Sequence, residues 1–441
     1  MRRTVIMAGL CAAFALPPAG PVTVQAQTAS GVAAEGGLSL SEVYELARER
    51  NPALHAAGAR ADAVGTRESS AGLPPDPTLQ VGVMNFSIPG FDADMPTSMA
   101  PSIQAMQMLP FPGKLGLSEE MAEQSSAMAR AGADEKWWEV RAMAARGFFQ
   151  VYELDRKLEV ARETLGLLED FQEVARSMYA SGTGRQSDVL RANVEVARMD
   201  AEIERMQAMR NVAVARLNAV LNRPAETPVP AVVLPALPAE WPEGETLRRW
   251  AEETRPMLER SRTGVEQAQT RQSLARKQIW PDFSVGLQYG QRDAGALGTT
   301  RMGSAMIGFT VPIFAGSRQL RLRDEAAAME SAAEADLMTA RAGVDARVGE
   351  LLAELERART LLELYRSEVL PQADANVESS FSSYRVGAVD FMTLMDAQMS
   401  TNRYEQEYFT LLADYGRAVA ELEMTVGREL PETPELMAEA R

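Results

Sequence analysis

Two spacings of apolar residues recur along this chain, and each occurs in both halves. In the stretch PDFSVGLQYG (281–290), Phe283, Val285, Leu287 and Tyr289 alternate with Ser284, Gly286 and Gln288. A period of two predicts a strand with one apolar and one polar face. Ala305, Ile307, Phe309 and Val311 alternate in the same way over 303–311, with Met306 as the one intruder. Leu79, Val81 and Val83 predict a strand over 78–85, and a further strand falls over 102–108, where Gln107 breaks the pattern.

Elsewhere the apolar residues step by three and four. Val189, Ala192, Val196, Met199, Ile203, Met206, Arg210, Ala213, Leu217 and Val220 form one such seam, apolar at every position but Arg210. Leu158, Ala161, Leu165, Leu168, Phe171, Ala175 and Met178 form the facing seam, so an antiparallel coiled hairpin is predicted to close at Gly182–Gly184. From 113 to 180 there are 68 residues without proline, a rod on the order of 100 Å. Its counterpart, 317–384, contains only Pro371, which should kink it. A second hairpin closes at Gly387. Each half begins with one helix of some thirty residues, over 41–70 and 246–278.

The same order written twice is a duplication. YASGTGRQSDVLRA from Tyr179 lies over YRVGAVDFMTLMDA from Tyr384, and LNAVLNR (217–223) over LEMTVGR (422–428), both at an offset of 205. The expected organisation is a first repeat over 27–222, a connector over 223–245, a second repeat over 246–428 and a tail over 429–441. The connector holds six prolines, which forbid a regular helix, while VVLPAL and Trp241 supply apolar anchors.

The first residues change the compartment. Arg2 and Arg3 precede an apolar run from Val5 to Leu16, and Val24-Gln25-Ala26 is a small-residue cleavage site. Residues 1–26 therefore read as a signal peptide. The only cysteine, Cys11, lies inside that run, and the only histidine is His55. The mature chain thus offers no disulfide or thiolate metal site, and a nucleophile with a histidine base would have to use His55 in a plain helical stretch, so neither a cofactor nor an enzymatic reaction is expected. The net charge is −16, or −18 once Arg2 and Arg3 leave, which excludes nucleic acid as a partner.

Four strands cannot close a membrane barrel, since the smallest have about eight. An open sheet in lipid leaves its edge groups unsatisfied. The expected fold is therefore mainly α with a small β part. Three chains of four strands form one twelve-stranded transmembrane β-barrel, continued by a long α-helical coiled-coil tunnel in the periplasm.

The order of elements, LSLSEVYELARERNP (38–52), the two YxxG turns, VPIFAGSR (311–318) and EVLPQADA (368–375) resemble the TolC family of outer-membrane efflux proteins. The resemblance spans nearly the whole mature chain. It implies a homotrimer in outer-membrane lipid, serving a periplasmic adaptor (membrane fusion protein) and an inner-membrane RND-type pump. LPPDPTLQVGVMNF (73–86) and PTSMAPSIQAMQMLPFPGKLGL (96–117) resemble the heavy-metal branch, so heavy-metal cations are the implied substrate, with drug efflux and type I secretion as alternatives. Met84, Met95, Met99, Met106 and Met108 crowd this segment, where thioethers suit soft cations but equally fill packing gaps.

The resemblance also implies a periplasmic gate lined by acidic residues near the start of the return helices. Asp188 matches that place in the first half. Thr393 stands at the matching place in the second, and Asp396 follows one turn later. Ser187-Asp188 reads more readily as a helix cap than as a gate, and so does Asp390. Gly182, Gly184, Arg185, Gly387 and Val389 at the tips are the expected adaptor contacts. A periplasmic adaptor, the competing class, would carry one hairpin and many short strands.

Overall fold

The computed structural model describes residues 37–84, 99–293 and 298–431. The chain divides into Met1–Gly37 and Leu38–Arg441, and all named elements lie in the second unit. The expected signal peptide, Met95 and most of the tail lie outside the described residues.

Where the apolar spacing predicts one helix over 41–70, the chain forms α1 (Leu40–Arg50), α2 (Pro52–Gly65) and the single turn α3 (Glu68–Ala71). Pro52 bars its predecessor from the helical region, and Asn51 is extended at φ −70°, ψ 118°. The Asn51 side chain accepts from Ala53 N at 2.9 Å and donates to Val220 O at 2.8 Å. The second half breaks identically between α6 (Gly244–Thr254) and α7 (Pro256–Lys277). There Arg255 is extended at φ −74°, ψ 117°, and its guanidinium donates to Thr425 O at 3.2 Å. Each break thus clamps the end of a return helix, α5 (Gln186–Val220) or α10 (Phe391–Val426). Both return helices end in left-handed residues at the same offset, Asn222 (φ 51°) and Gly427 (φ 72°). The duplication is structural.

Helix α4 (Lys114–Ala180) runs 67 residues unbroken. Its counterpart is α8 (Gln319–Leu364), a π-helical turn (Tyr365–Val369) and α9 (Leu370–Arg385). The predicted kink at Pro371 takes the form of this one wide turn. Pro371 has no N–H to give, so the ladder skips a register, Leu370 N reaching back to Tyr365 O.

The helices enclose two apolar clusters. One gathers Phe148, Phe149, Leu217, Leu247, Leu351 and Tyr415 from both halves. Gly416 permits it: a Cβ there would stand 2.3 Å from the Phe149 ring. The other, toward the hairpin tips, gathers Leu158, Leu168, Phe171, Met199, Phe391 and Leu394. Along α10 the buried polar residues Gln398, Thr401 and Asn402 separate them. The seam's one polar member, Arg210, is paired with Asp155 and also donates to Val229 O at 3.2 Å in the connector. Buried Val229, Val232 and Leu237 anchor that connector, and the Tyr415 hydroxyl donates to Pro238 O.

Strands β1 (Thr78–Met84), β2 (Met99–Leu109), β3 (Phe283–Asp293) and β4 (Thr299–Phe309) form one antiparallel sheet in chain order, and the β2–β3 ladder joins the halves. Its base is pinned to α4, because Asp282 accepts from Lys114 Nζ and from Phe111 N, each at 2.8 Å. Among the described residues no helix is long and apolar enough to cross a membrane.

Candidate functional site

Residues paired across strands share a face. The register therefore sorts the sheet. One face carries the rows Val81–Ile103–Tyr289 and Leu79–Ala105–Leu287–Ala305, then Val285 with Ile307 and Leu109–Phe283–Phe309. These side chains are bare: Ile307 is 80% exposed and Leu79 69%. The other face carries Gln80–Gln104–Gln288–Ser304 and Gly82–Ser102–Gly290. Apolar groups exposed on one face and amides on the other invert the arrangement of a water-soluble sheet. Met106 and Met306 flank Gly286 on the polar face, and Met108 lies there too. The edges of the sheet, β1 and β4, have no further strand among the described residues.

At the opposite end of the helices the tips repeat each other. Gly182 (φ 78°) and Gly387 (φ 74°) supply the left-handed residue, and Thr183 N→Met178 O and Ala388 N→Ser383 O both close at 2.9 Å. Gly184 has its own constraint, since a Cβ there would meet Tyr179 N at 2.9 Å. Arg185 is the exposed N-cap of α5, and Val389 packs on the lower cluster.

The candidate gate residues fall in different surroundings. Asp390 caps α10, accepting from Thr393 N at 2.9 Å and from the Thr393 hydroxyl at 2.7 Å. Those bonds hold its carboxyl below the usual range. Thr393 is thereby tied to the cap. Neither Ser187 nor Asp188 caps α5: the N-cap is Arg185, without a side-chain cap bond. Asp188 is in the first turn, where the helix dipole favours a carboxylate. Its charge also reaches Tyr384, which sequence reasoning passed over. Tyr384 is 3% exposed and its hydroxyl has no hydrogen-bond partner. Burial first, and then Asp188, raise the pKa of that phenol. Asp396 is exposed and lines a groove of about 650 Å³ between α5 and α10.

Farther from the tips, burial first and then Asp374 and Glu163 raise the Glu405 carboxyl to about 7. A raised carboxyl pKa stabilises the fold below its unfolded value near 4.5, and that stability is lost as pH climbs through 7. Glu405→Gln is therefore expected to raise the unfolding temperature at pH 8 and to flatten its pH dependence between 5 and 8. The gain is about 1 kcal/mol after allowance for solvent screening. Thermal unfolding in detergent across that range checks it.

Among the described residues, no group of three or more His, Cys, Asp or Glu is placed to hold a metal ion. The site has the form of a lipid-compatible sheet joined to long helical hairpins.

The comparisons with known proteins agree with that form. The cobalt-zinc-cadmium resistance protein CzcC of Cupriavidus metallidurans is 23% identical over 436 residues, which cover 97% of this chain and 100% of that protein. The solved structure of CusC, described in terms of folding and transmembrane channel formation, superposes with a TM-score of 0.76 at 15% identity, covering 88% of this chain and 92% of that one. The outer-membrane protein VceC of Vibrio cholerae superposes with a TM-score of 0.75 at 16% identity, covering 88% and 96%. The family model for outer membrane efflux proteins matches residues 43–223 and 247–428, both repeats in turn. This chain belongs to the outer membrane efflux protein family.

Proposed function

We propose that three copies of this chain pool their sheets into one twelve-stranded outer-membrane barrel. The hairpins of the three extend it as a tunnel into the periplasm, and the assembly conducts heavy-metal cations outward without chemistry of its own. The sheet carries this reading: four strands, two open edges and a bare apolar face fit lipid only if neighbouring chains satisfy the edges. The similarity to a cobalt-zinc-cadmium resistance protein along its full length supports heavy metals as the substrate class. The tips Gly182–Arg185 and Gly387–Val389 are the surface offered to a periplasmic adaptor, which connects the tunnel to an inner-membrane RND-type pump. Asp188, Asp396 and Thr393 stand near that entrance as the gate.

A strain lacking this protein is expected to grow normally on drugs and poorly on cobalt, zinc, cadmium, copper or silver. Sensitivity to drugs alone would overturn the substrate class and leave the barrel standing.

A further inference from the structure

The groove between α5 and α10 holds an unusual set of side chains. Met392, Met395 and Met399 stand one and two turns apart on α10, at the spacings of three and four that place residues on one helix face. Met199 of α5 reaches the same groove from the other wall. Met199 and Met395 are each 3% exposed, whereas Met392 is 40% exposed at the mouth. Four thioethers thus line one space, graded from the solvent inward, with the Asp396 carboxylate among them.

Charge does not select an ion here. Arg191, Arg198 and Arg403 line the groove with Glu195, Glu202 and Asp396, three of each sign. Arg198 is paired with Glu195 at 3.1 Å. A hard dication therefore finds little net field and no cluster of oxygen or imidazole ligands. What remains is sulfur. Thioethers are soft ligands that select soft cations, and methionine's three rotatable bonds let several converge on one ion. Neutral sulfur also holds an ion weakly enough to release it, as a conduit requires.

We propose that this groove is a transfer site for a soft monovalent cation, Cu(I) or Ag(I), ligated by Met392, Met395, Met399 and Met199. The site rests on the heavy-metal reading above and narrows it. It predicts soft monovalent ions as cargo, in contrast with the divalent metals in the name of the C. metallidurans relative.

The test measures Ag(I) binding to the full-length detergent-solubilised protein by equilibrium dialysis, against a variant carrying Met392→Leu, Met395→Leu and Met399→Leu. These exchanges conserve volume and keep the core filled. The expected result is one Ag(I) fewer per chain, or at least tenfold weaker binding, in the triple variant. Zn(II) uptake should be unchanged, and so should single-channel conductance without metal. A selenomethionine preparation should show more Ag–Se contacts per chain at the selenium edge than the triple variant does. Equal Ag(I) uptake by both proteins overturns the site, as does Zn(II) bound as tightly as Ag(I). Loss of conductance in both proteins would count against the channel reading instead, since the dialysis result is independent of it.

Discussion

Leu287→Arg is expected to abolish the assembled outer-membrane form. Leu287 lies mid-strand in β3, 63% exposed on the apolar face, in the row Leu79–Ala105–Leu287–Ala305. If that face meets lipid, a guanidinium near the bilayer midplane costs about 2–4 kcal/mol per chain. Three copies in one barrel multiply the loss. Ser304→Arg is the control. Ser304 lies in the adjacent row, on the polar face opposite Gln288, where a charge would project into a wet lumen. The check is a heat-modifiable band in outer-membrane fractions, absent for Leu287→Arg and retained for Ser304→Arg. If both variants assemble equally, the apolar face does not contact lipid.

Glu153→Ala is expected to be the most destabilising single change in the helical body. Glu153 is 7% exposed on α4. It accepts from Lys157 Nζ at 2.6 Å, from Arg417 of α10 at 3.2 Å and from the Thr410 hydroxyl at 3.4 Å. Removing the carboxylate leaves two cations facing each other where the two halves pack. Breaking a buried pair on one side costs about 3–5 kcal/mol. Arg417→Ala should cost less, because Lys157 still neutralises Glu153. Arg417 itself also pairs with half-buried Asp414 at 2.5 Å. Chemical unfolding of the detergent-solubilised protein ranks the two; equal effects would mean the network is not centred on Glu153.

Much of this architecture was legible in the chain itself, because its signals are periodic. Alternation located β1, β3 and β4, and the three-and-four stepping located the seams, including Ala192, Met199 and Met206, all buried. The repeat offset of 205 reappears in the paired tips and in Asn222 and Gly427. Three features were hidden for physical reasons. The breaks at Asn51 and Arg255 do not interrupt the apolar spacing; only the restriction that Pro52 and Pro256 place on the residue before them reveals each. Gln107 spoiled the pattern of β2 because its amide serves the loop below, donating to Pro75 O at 2.6 Å and Met108 O at 2.9 Å. Met99–Pro101 extended β2 beyond its predicted start, at a strand end where the β1 ladder is irregular between Gly82 and Met84.

The tips were read correctly as turns and Asp390 as a cap, but the proximity of Tyr384 to Asp188 was not read. Tyr384 and Asp188 are 196 residues apart in the chain, and nothing local marks them as neighbours. The methionines of α10 look like seam residues by spacing. Met395 does belong to the apolar cluster and Met399 packs against it; only the groove that they share with Met392 and Met199 sets them apart from its other members.

Native mass measurement of the detergent-extracted protein tests the shared barrel most directly. Three chains per particle, held together after delipidation and falling to single chains only on heating, is the expected result. A lone chain that stays folded and dispersed in water without detergent would contradict it, because the apolar face and both open edges of the sheet would then have no covering.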